Sequence, residues 1–322
     1  MKKLRIIMTN VLNFGWQQFV HIKNRFYNWI VFGYWMNLGK FNQYEPKPIR
    51  WDLPDIRRSV DQTPRLLVVT PSLNQGKYLG RTIESVLAQG YENLRYVVMD
   101  GGSTDESIDI IRQYENRLHR WVSSRDDGQT AAINKGFELG TETLESNDLM
   151  AWINADDIFA PGAFHYVADY FARHPQVDVV YGNRIVIDNE DRETGRWVLP
   201  PHCDRTIRWV DYIPQETMFW RKRIWDAAGG MDMQYRFAMD WDLICRFVDQ
   251  GARIVRLPHF LAAFRVHPGQ KTATEIHQAG ADEMEMIRDR MRPSRVDYLK
   301  INRRILLKAS IYSRLLEMGL RL

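Results

Sequence analysis

Between Arg65 and Ile153, short β-rich runs alternate with stretches of helical spacing, and no other feature of the 322 residues constrains the fold as strongly. The runs are Arg65–Thr70 (RLLVVT), Leu94–Met99 (LRYVVM), Arg120–Ser123 and Leu149–Ile153. Helical spacing covers Tyr78–Gln89, Ser107–Leu118 and Gln129–Leu139. Gly90 and Gly140 stop the first and third, and the capping types Ser103, Thr104 and Asp105 precede the second. Short strands separated by helices predict βαβ units and a parallel sheet. The pattern continues with a helix over Gly162–Arg173, a strand over Val177–Tyr181, and extended pieces at Arg184–Asp188 and Arg196–Leu199. A strand at Thr217–Trp220, a helix at Asp240–Gln250 and a last strand at Arg253–Leu257 complete it. In such sheets a ligand sits at the carboxyl ends of the strands. Polar residues gather at those ends: Thr70, Ser72 and Asn74, then Asp100, then Asp126 and Asp127, then Asn154, Asp156 and Asp157.

Charge divides the chain into three. Residues 1–40 carry six bases and no acid, and residues 288–322 carry ten bases and three acids. With a chain total of +4, residues 41–287 are left at −9. An acidic centre argues against nucleic acid as its partner. Large apolar residues recur at helical spacing in residues 1–38, which suits an amphipathic basic helix on a membrane surface or one packed on protein. The stretch Phe41–Pro64 is polar and proline-bearing and reads as a linker. Residues 275–322 read as basic and helical, with Pro293 separating two segments. The expected organisation is therefore an N-terminal extension and linker (1–63), a catalytic unit (64–274) and a helical C-terminal extension (275–322). No apolar run reaches the roughly 20 residues of a membrane span, and the interrupted start does not suit a cleavable signal. Two cysteines, Cys203 and Cys245, cannot build a disulfide framework or a four-cysteine zinc site and suit a reducing compartment.

Four motifs carry chemistry. Trp152-Ile153-Asn154-Ala155-Asp156-Asp157 delivers two adjacent carboxylates from a strand onto a loop, and such a pair suits a hard divalent cation. An acidic turn capping the next helix is the plain alternative. Asp100-Gly101-Gly102-Ser103-Thr104-Asp105 gives a sharp turn before a helix start, but it is not a dinucleotide fingerprint. Met239-Asp240-Trp241-Asp242 opens a helix, where an acid is either a cap or a catalytic group. Arg265-Val266-His267-Pro268-Gly269-Gln270-Lys271 places a histidine after the last strand. Trp197, Trp209, Trp220 and Trp241 suit either sugar stacking or core packing.

Taken together, from Arg65 to Thr272, these motifs resemble the family 2 glycosyltransferases, inverting enzymes with the GT-A fold. The resemblance implies an α/β, Rossmann-like sheet with flanking helices and a nucleotide-sugar donor. It implies a Mn²⁺ or Mg²⁺ cofactor and a glycan or lipid-linked acceptor. It points to Thr70, Pro71 and Ser72 for the nucleotide, Asp100 for the base, and Asp127 with Asn134 and Lys135 for the stretch over the sugar. Asp157 corresponds to the metal ligand and Asp156 to the residue holding the ribose or donor sugar. Asn154 stands where the first acid of the DxD-type motif is usual. Asp240 corresponds to the catalytic base, Asp242 to its support, and His267 to a late ligand of metal or diphosphate. Met239 stands where the family often has Glu. A sugar-phosphate nucleotidyltransferase is the rival enzyme, but the loop Pro71–Lys77 has one glycine and one lysine for a triphosphate. A non-catalytic scaffold is the other rival. The basic ends, outside the resemblance, suggest docking on an anionic membrane or a homo-oligomer interface. The expected location is cytoplasmic, peripheral on the inner face of the plasma membrane.

Overall fold

The structure is a computed structural model that describes residues 41–54, 63–271 and 279–291. The amphipathic segment at 1–38 and the chain beyond Met291 lie outside the described residues. In chain order the elements are β1 (Lys47–Pro48), β2 (Leu66–Ser72), α1 (Gly76–Leu87), β3 (Leu94–Asp100), α2 (Ser107–Tyr114), β4 (Arg120–Ser123) and α3 (Gln129–Gly140). They continue with β5 (Leu149–Trp152), β6 (Ile158–Phe159), α4 (Ala163–Arg173), β7 (Val179–Ile187), β8 (Arg192–Trp197) and α5 (Asp204–Ile207). The last are β9 (Met218–Arg221), α6 (Lys222–Ala228), α7 (Met239–Asp249), β10 (Ile254–Arg265) and α8 (Ala279–Met291).

One sheet runs through the molecule in the order β1-β8-β7-β9-β5-β2-β3-β4, with β10 joining β7 to β6. Its first half is parallel: β2 lies between β3 and β5, and β4 flanks β3. β9 then pairs antiparallel with both β5 and β7. Every residue of β2 is buried, which explains its unbroken apolar run. Alternate residues feed separate cores. Leu67 and Val69 face Phe137, Trp152 and Trp220, while Leu66 and Val68 face Ile83, Phe164 and Phe219. Helices therefore cover both faces of the sheet. Helix α3 lies so close to β2 that a Cβ at Gly136 or Gly140 would collide with Val69 or Leu67.

Two sequence expectations change. Trp220 and Trp241 are fully buried core residues, with the Trp241 indole N–H donating to the Ile207 carbonyl at 2.5 Å, so neither offers a sugar-stacking face. Part of the proline-bearing linker lies along β8, where Gln43 N donates to Thr194 O at 2.8 Å and Lys47 is in register with Glu193. Tyr44 donates to the Glu193 carboxylate at 2.5 Å. That carboxylate is buried, yet Arg196 and Tyr44 outweigh the cost of burial and hold its pKa below the usual range.

Candidate active site

The acidic loop after β5 is held from three sides. The Thr82 hydroxyl of α1 lies 2.9 Å from the Ala155 carbonyl and 2.7 Å from that of Asp157. Gln215 Nε2 donates to the Trp152 carbonyl at 2.7 Å. Arg265, at the end of β10, donates its backbone N–H to Asp157 Oδ1 at 2.9 Å and its Nε to the Asp156 carbonyl at 2.8 Å. The two acids then point to different surroundings. Asp156 Oδ2 is 2.9 Å from Nε2 of His267, whose ring packs on Tyr78 with centroids 4.7 Å apart. Asp157 is 1% exposed, and its Oδ2 has no hydrogen-bond partner among the described residues. Burial first, then the Asp156 and Glu216 carboxylates, push the Asp157 pKa well above the usual carboxylate range.

Behind this loop lies a second charged group. Arg184 of β7 donates from Nε and Nη2 to the two oxygens of Glu216, at 2.6 and 2.7 Å. Its guanidinium also lies over the rings of Phe264 and Trp197, at 4.3 and 4.7 Å. Burial opposes the Arg184 charge, but Glu216 outweighs it and raises the guanidinium pKa further. Asp240 sits in the first turn of α7 and takes the Trp241 N–H on Oδ1 at 2.8 Å. It makes no ion pair among the described residues. Burial raises its pKa, against the pull of the Trp241 N–H and Arg184. Asp211 is reachable by water yet ringed by protein, and that enclosure together with the Asp240 charge raises its pKa strongly. Asp157, Arg184, Glu216, Asp211 and Asp240 thus form one electrostatic cluster, with Asp211 and Asp240 its solvent-reached acids.

The turn after β3 is held by its own acid. Ser72, Asp100 and Ser123 are in register across β2, β3 and β4. Asp100 Oδ2 accepts from Gly102 N, Ser103 N and Ser123 Oγ at 3.1, 3.0 and 2.6 Å, and Oδ1 accepts from Ser103 Oγ at 2.5 Å. These bonds fix the carboxylate in the turn and leave Oδ1 with one bond. Ser72 Oγ is buried without a partner among the described residues, and the Thr70 hydroxyl is bonded to Tyr96 at 2.9 Å.

Comparison with known proteins now decides the family. The sequence model of glycosyl transferase family 2 matches residues 67–243, more than half of the chain. The chain belongs to glycosyl transferase family 2. Its curated relatives include a Mycobacterium bovis PGL/p-HBAD biosynthesis glycosyltransferase, 28% identical over 204 residues that cover 62% of this chain and 76% of that protein. An Escherichia coli chondroitin synthase is 24% identical over 201 residues, 60% of this chain and 28% of its own length. The fold matches S. aureus TarS 1-349 in complex with UDP-GlcNAc at a TM-score of 0.58 and 15% identity, covering 78% of this chain and 72% of that one. It also matches the mannosyltransferase PcManGT from Pyrobaculum calidifontis in complex with GDP-Man and Mn²⁺, at 0.52 and 16%, covering 89% and 80%.

In this family 2 glycosyltransferase, the structure joins some of the expected site residues and separates others. Asp156, Asp157 and His267 come together, but the acid that meets His267 is Asp156. Asp157, expected as the metal ligand, takes the Arg265 backbone N–H on Oδ1 and keeps Oδ2 without a donor among the described residues. Asn154 accepts from Gln129 Nε2 at 2.8 Å. Asn134 clamps the backbone of Met231, with both bonds at 2.9 Å. Lys135 forms an exposed pair with Glu138, and Asp127 lies exposed on the turn before α3. Asp242 is buried against Arg246 and Arg290. Arg184, Glu216 and Asp211 were missed. The signal available for Arg184 was a lone charge inside the apolar run VVYGNRIVI.

A buried carboxylate oxygen without a donor, beside a second acid, is a place for a cation. The residues fit one: Asp156 offers a carboxylate oxygen and His267 an imidazole nitrogen, types that Mn²⁺ accepts. No three His, Cys, Asp or Glu side chains gather into a cage among the described residues. Asp156 and His267 would be two protein ligands to such a cation, with the remaining positions open to diphosphate and water oxygens. It follows that Asp157→Asn should stabilise the metal-free enzyme at neutral pH. A rise in melting temperature of at least about 2 °C is expected, the shift that about 1 kcal/mol gives a domain of this size. Differential scanning calorimetry in EDTA measures it, and a lower melting temperature would refute the picture of an uncompensated charge.

Proposed function

We propose that this glycosyltransferase moves a sugar, with inversion, from a nucleotide-diphosphate sugar to an acceptor hydroxyl in the synthesis of a cell-surface glycolipid or polysaccharide. The observation that carries the reading is Asp240. It stands at the start of α7 with one oxygen held by the Trp241 N–H and a pKa raised by burial, in the same charged cluster as the acidic loop after β5. A carboxylate so placed takes the proton of the attacking hydroxyl as the new bond forms, and attack on the face opposite the leaving diphosphate inverts the anomeric carbon. Asp156 and His267 hold Mn²⁺ or Mg²⁺, with the Asp157 charge behind them. The bound cation supplies charge neutralisation for the departing diphosphate. Ser72, whose hydroxyl is buried and unpartnered, with the turn Gly101–Ser103 and Gln129, lines the nucleotide side. The mycobacterial relative named for PGL/p-HBAD biosynthesis and the chondroitin synthase support a glycolipid or polysaccharide product.

The catalytic unit is read as 64–274. The basic ends, 1–40 and 288–322, dock it on the anionic inner face of the plasma membrane, where clustered bases contribute about 1 kcal/mol each. Among the described residues no helix is long and apolar enough to cross a membrane.

Two donors of different base and sugar, UDP-N-acetylglucosamine and GDP-mannose, test the reading with Mn²⁺. The accepted donor, at about 100 times its dissociation constant, should add about 2.7 kcal/mol of stability. The melting temperature then rises by about 5–10 °C. Asp156→Asn and His267→Ala should each remove the Mn²⁺-dependent part of that rise and the Mn²⁺-dependent release of nucleoside diphosphate. Release unaffected by both substitutions would exclude this pair as the cation site.

A further inference from the structure

Helix α7 begins without a cap of its own. Its N-cap residue is Ala238, which has no side-chain acceptor for the free N–H groups of the first turn. Acceptors for the segment leading into it come from α8. Glu283 Oε1 accepts from Arg236 N at 2.9 Å, and Oε2 accepts from Phe237 N and Ala238 N at 2.8 and 2.9 Å. One carboxylate therefore gathers three consecutive backbone N–H groups at the positive end of a helix dipole. The last of them is two residues before Asp240.

Helix α8 is itself fixed to the same region. Gly280 packs so closely on the Phe237 ring that a Cβ there would come within 2.7 Å of it. Arg290 pairs with buried Asp242 of α7 at 2.5 Å. Arg288 donates to the Trp209 carbonyl at 3.2 Å, and its guanidinium lies 5.4 Å from the Trp241 ring centre. Trp209 is two residues before Asp211, so α8 holds both backbone segments that present the open acids. A further chain of bonds runs toward the acidic loop. Lys271 donates to the Arg236 carbonyl and to Gln129 Oε1, and Gln129 donates to Asn154. Helix α8 lies outside the matched family segment, which ends at residue 243.

We propose that Glu283 is a positioning residue for Asp240: by tying the N–H groups of 236–238 to α8, it fixes the first turn of α7 and hence the direction of the base toward the acceptor. The proposal rests on Asp240 being the base. A misplacement of about 1 Å in such a group can cost 10²-fold in rate. In the proposed reading the donor lies at the ends of β2, β3 and β5, reached from this tie only through Lys271 and Gln129, so donor KM should change far less than kcat.

The test compares full-length wild type with Glu283→Ala, Glu283→Gln and Asp240→Asn. Nucleoside diphosphate release is followed with Mn²⁺ and UDP-N-acetylglucosamine or GDP-mannose, with water or octyl β-glucoside as acceptor. Glu283→Ala should lower kcat by about 10²-fold with donor KM within twofold. Glu283→Gln keeps one acceptor oxygen and should fall between Ala and wild type. Hydrogen exchange at the amides of 236–238 should speed up in the same order. Wild-type kcat in folded Glu283→Ala overturns the proposal, and so does a loss carried by donor KM. If the alanine variant fails to fold, the glutamine variant decides. If neither folds, Glu283 holds the fold and not the base, and the proposal fails. Transfer surviving in Asp240→Asn sinks the base assignment instead. An inactive Asp240→Asn beside a wild-type-like Glu283→Ala sinks the positioning role alone.

Discussion

Asp240→Asn is expected to lower sugar transfer by about 10²–10⁴-fold, the range spanned by removal of a general base. The substitution keeps the shape and the acceptor for the Trp241 N–H, so α7 should start as before. It removes only the ability to take a proton. With donor and Mn²⁺ held at the strand ends as proposed, their binding should stay within twofold by thermal shift. The pH profile gives a second readout. Burial raises the Asp240 pKa above the ordinary value near 4. A base works only when deprotonated, so kcat in the wild type should fall as pH drops through that raised value. The residual rate of the asparagine variant should lack this acid limb. A variant that keeps the limb would show that another group, Asp211 first among them, takes the proton.

The parallel half of the sheet was readable because burial on both faces forces an unbroken apolar run, as in Leu66–Ser72. The antiparallel half was harder to read. β7 looked like two pieces because Gly182, Asn183 and Arg184 interrupt its apolar pattern. Those three sit in a continuous strand for tertiary reasons. Leu261 and His259 O press where a Cβ at position 182 would stand. Asn183 bonds Pro258 O and Leu199 N, and Arg184 meets Glu216. β10 was read only to Leu257 because Pro258 breaks the pattern, whereas the strand carries on past a register shift to Arg265. The same distinction holds at the site. Asp156 and Asp157 announce themselves by adjacency. Arg184, Glu216 and Glu283 acquire meaning only through partners 32 to 47 residues away, which no local motif encodes. Asp100 sits in a recognisable motif, yet the bonds that fix its carboxylate to Gly102, Ser103 and Ser123 of β4 are not revealed by spacing.

Arg184→Met is the substitution expected to cost most in stability, about 3–5 kcal/mol, because it breaks a buried ion pair and strands the remaining charge. Exposed pairs such as Lys135–Glu138 contribute about 1 kcal/mol or less, so burial makes the difference. Glu216 is 1% exposed and accepts both Arg184 bonds. Asp157, Asp211 and Asp240 all depend on the same guanidinium to lower their pKa values. Without it, four acids face one another. The folded-state pKa values of Asp157, Asp211 and Asp240 then lie further above the unfolded ones, so the folded state binds more protons. Stability conferred by such protonation is present at low pH and lost as pH rises through the folded pKa values. The deficit of Arg184→Met relative to wild type should therefore be larger at pH 8 than at pH 5. Adding Glu216→Gln should recover part of it by removing one of the stranded charges. Urea unfolding at the two pH values measures both effects. A deficit that is flat with pH would mean that Arg184 acts through its packing on Trp197 and Phe264, and the acid cluster would lose its claim to be one electrostatic unit.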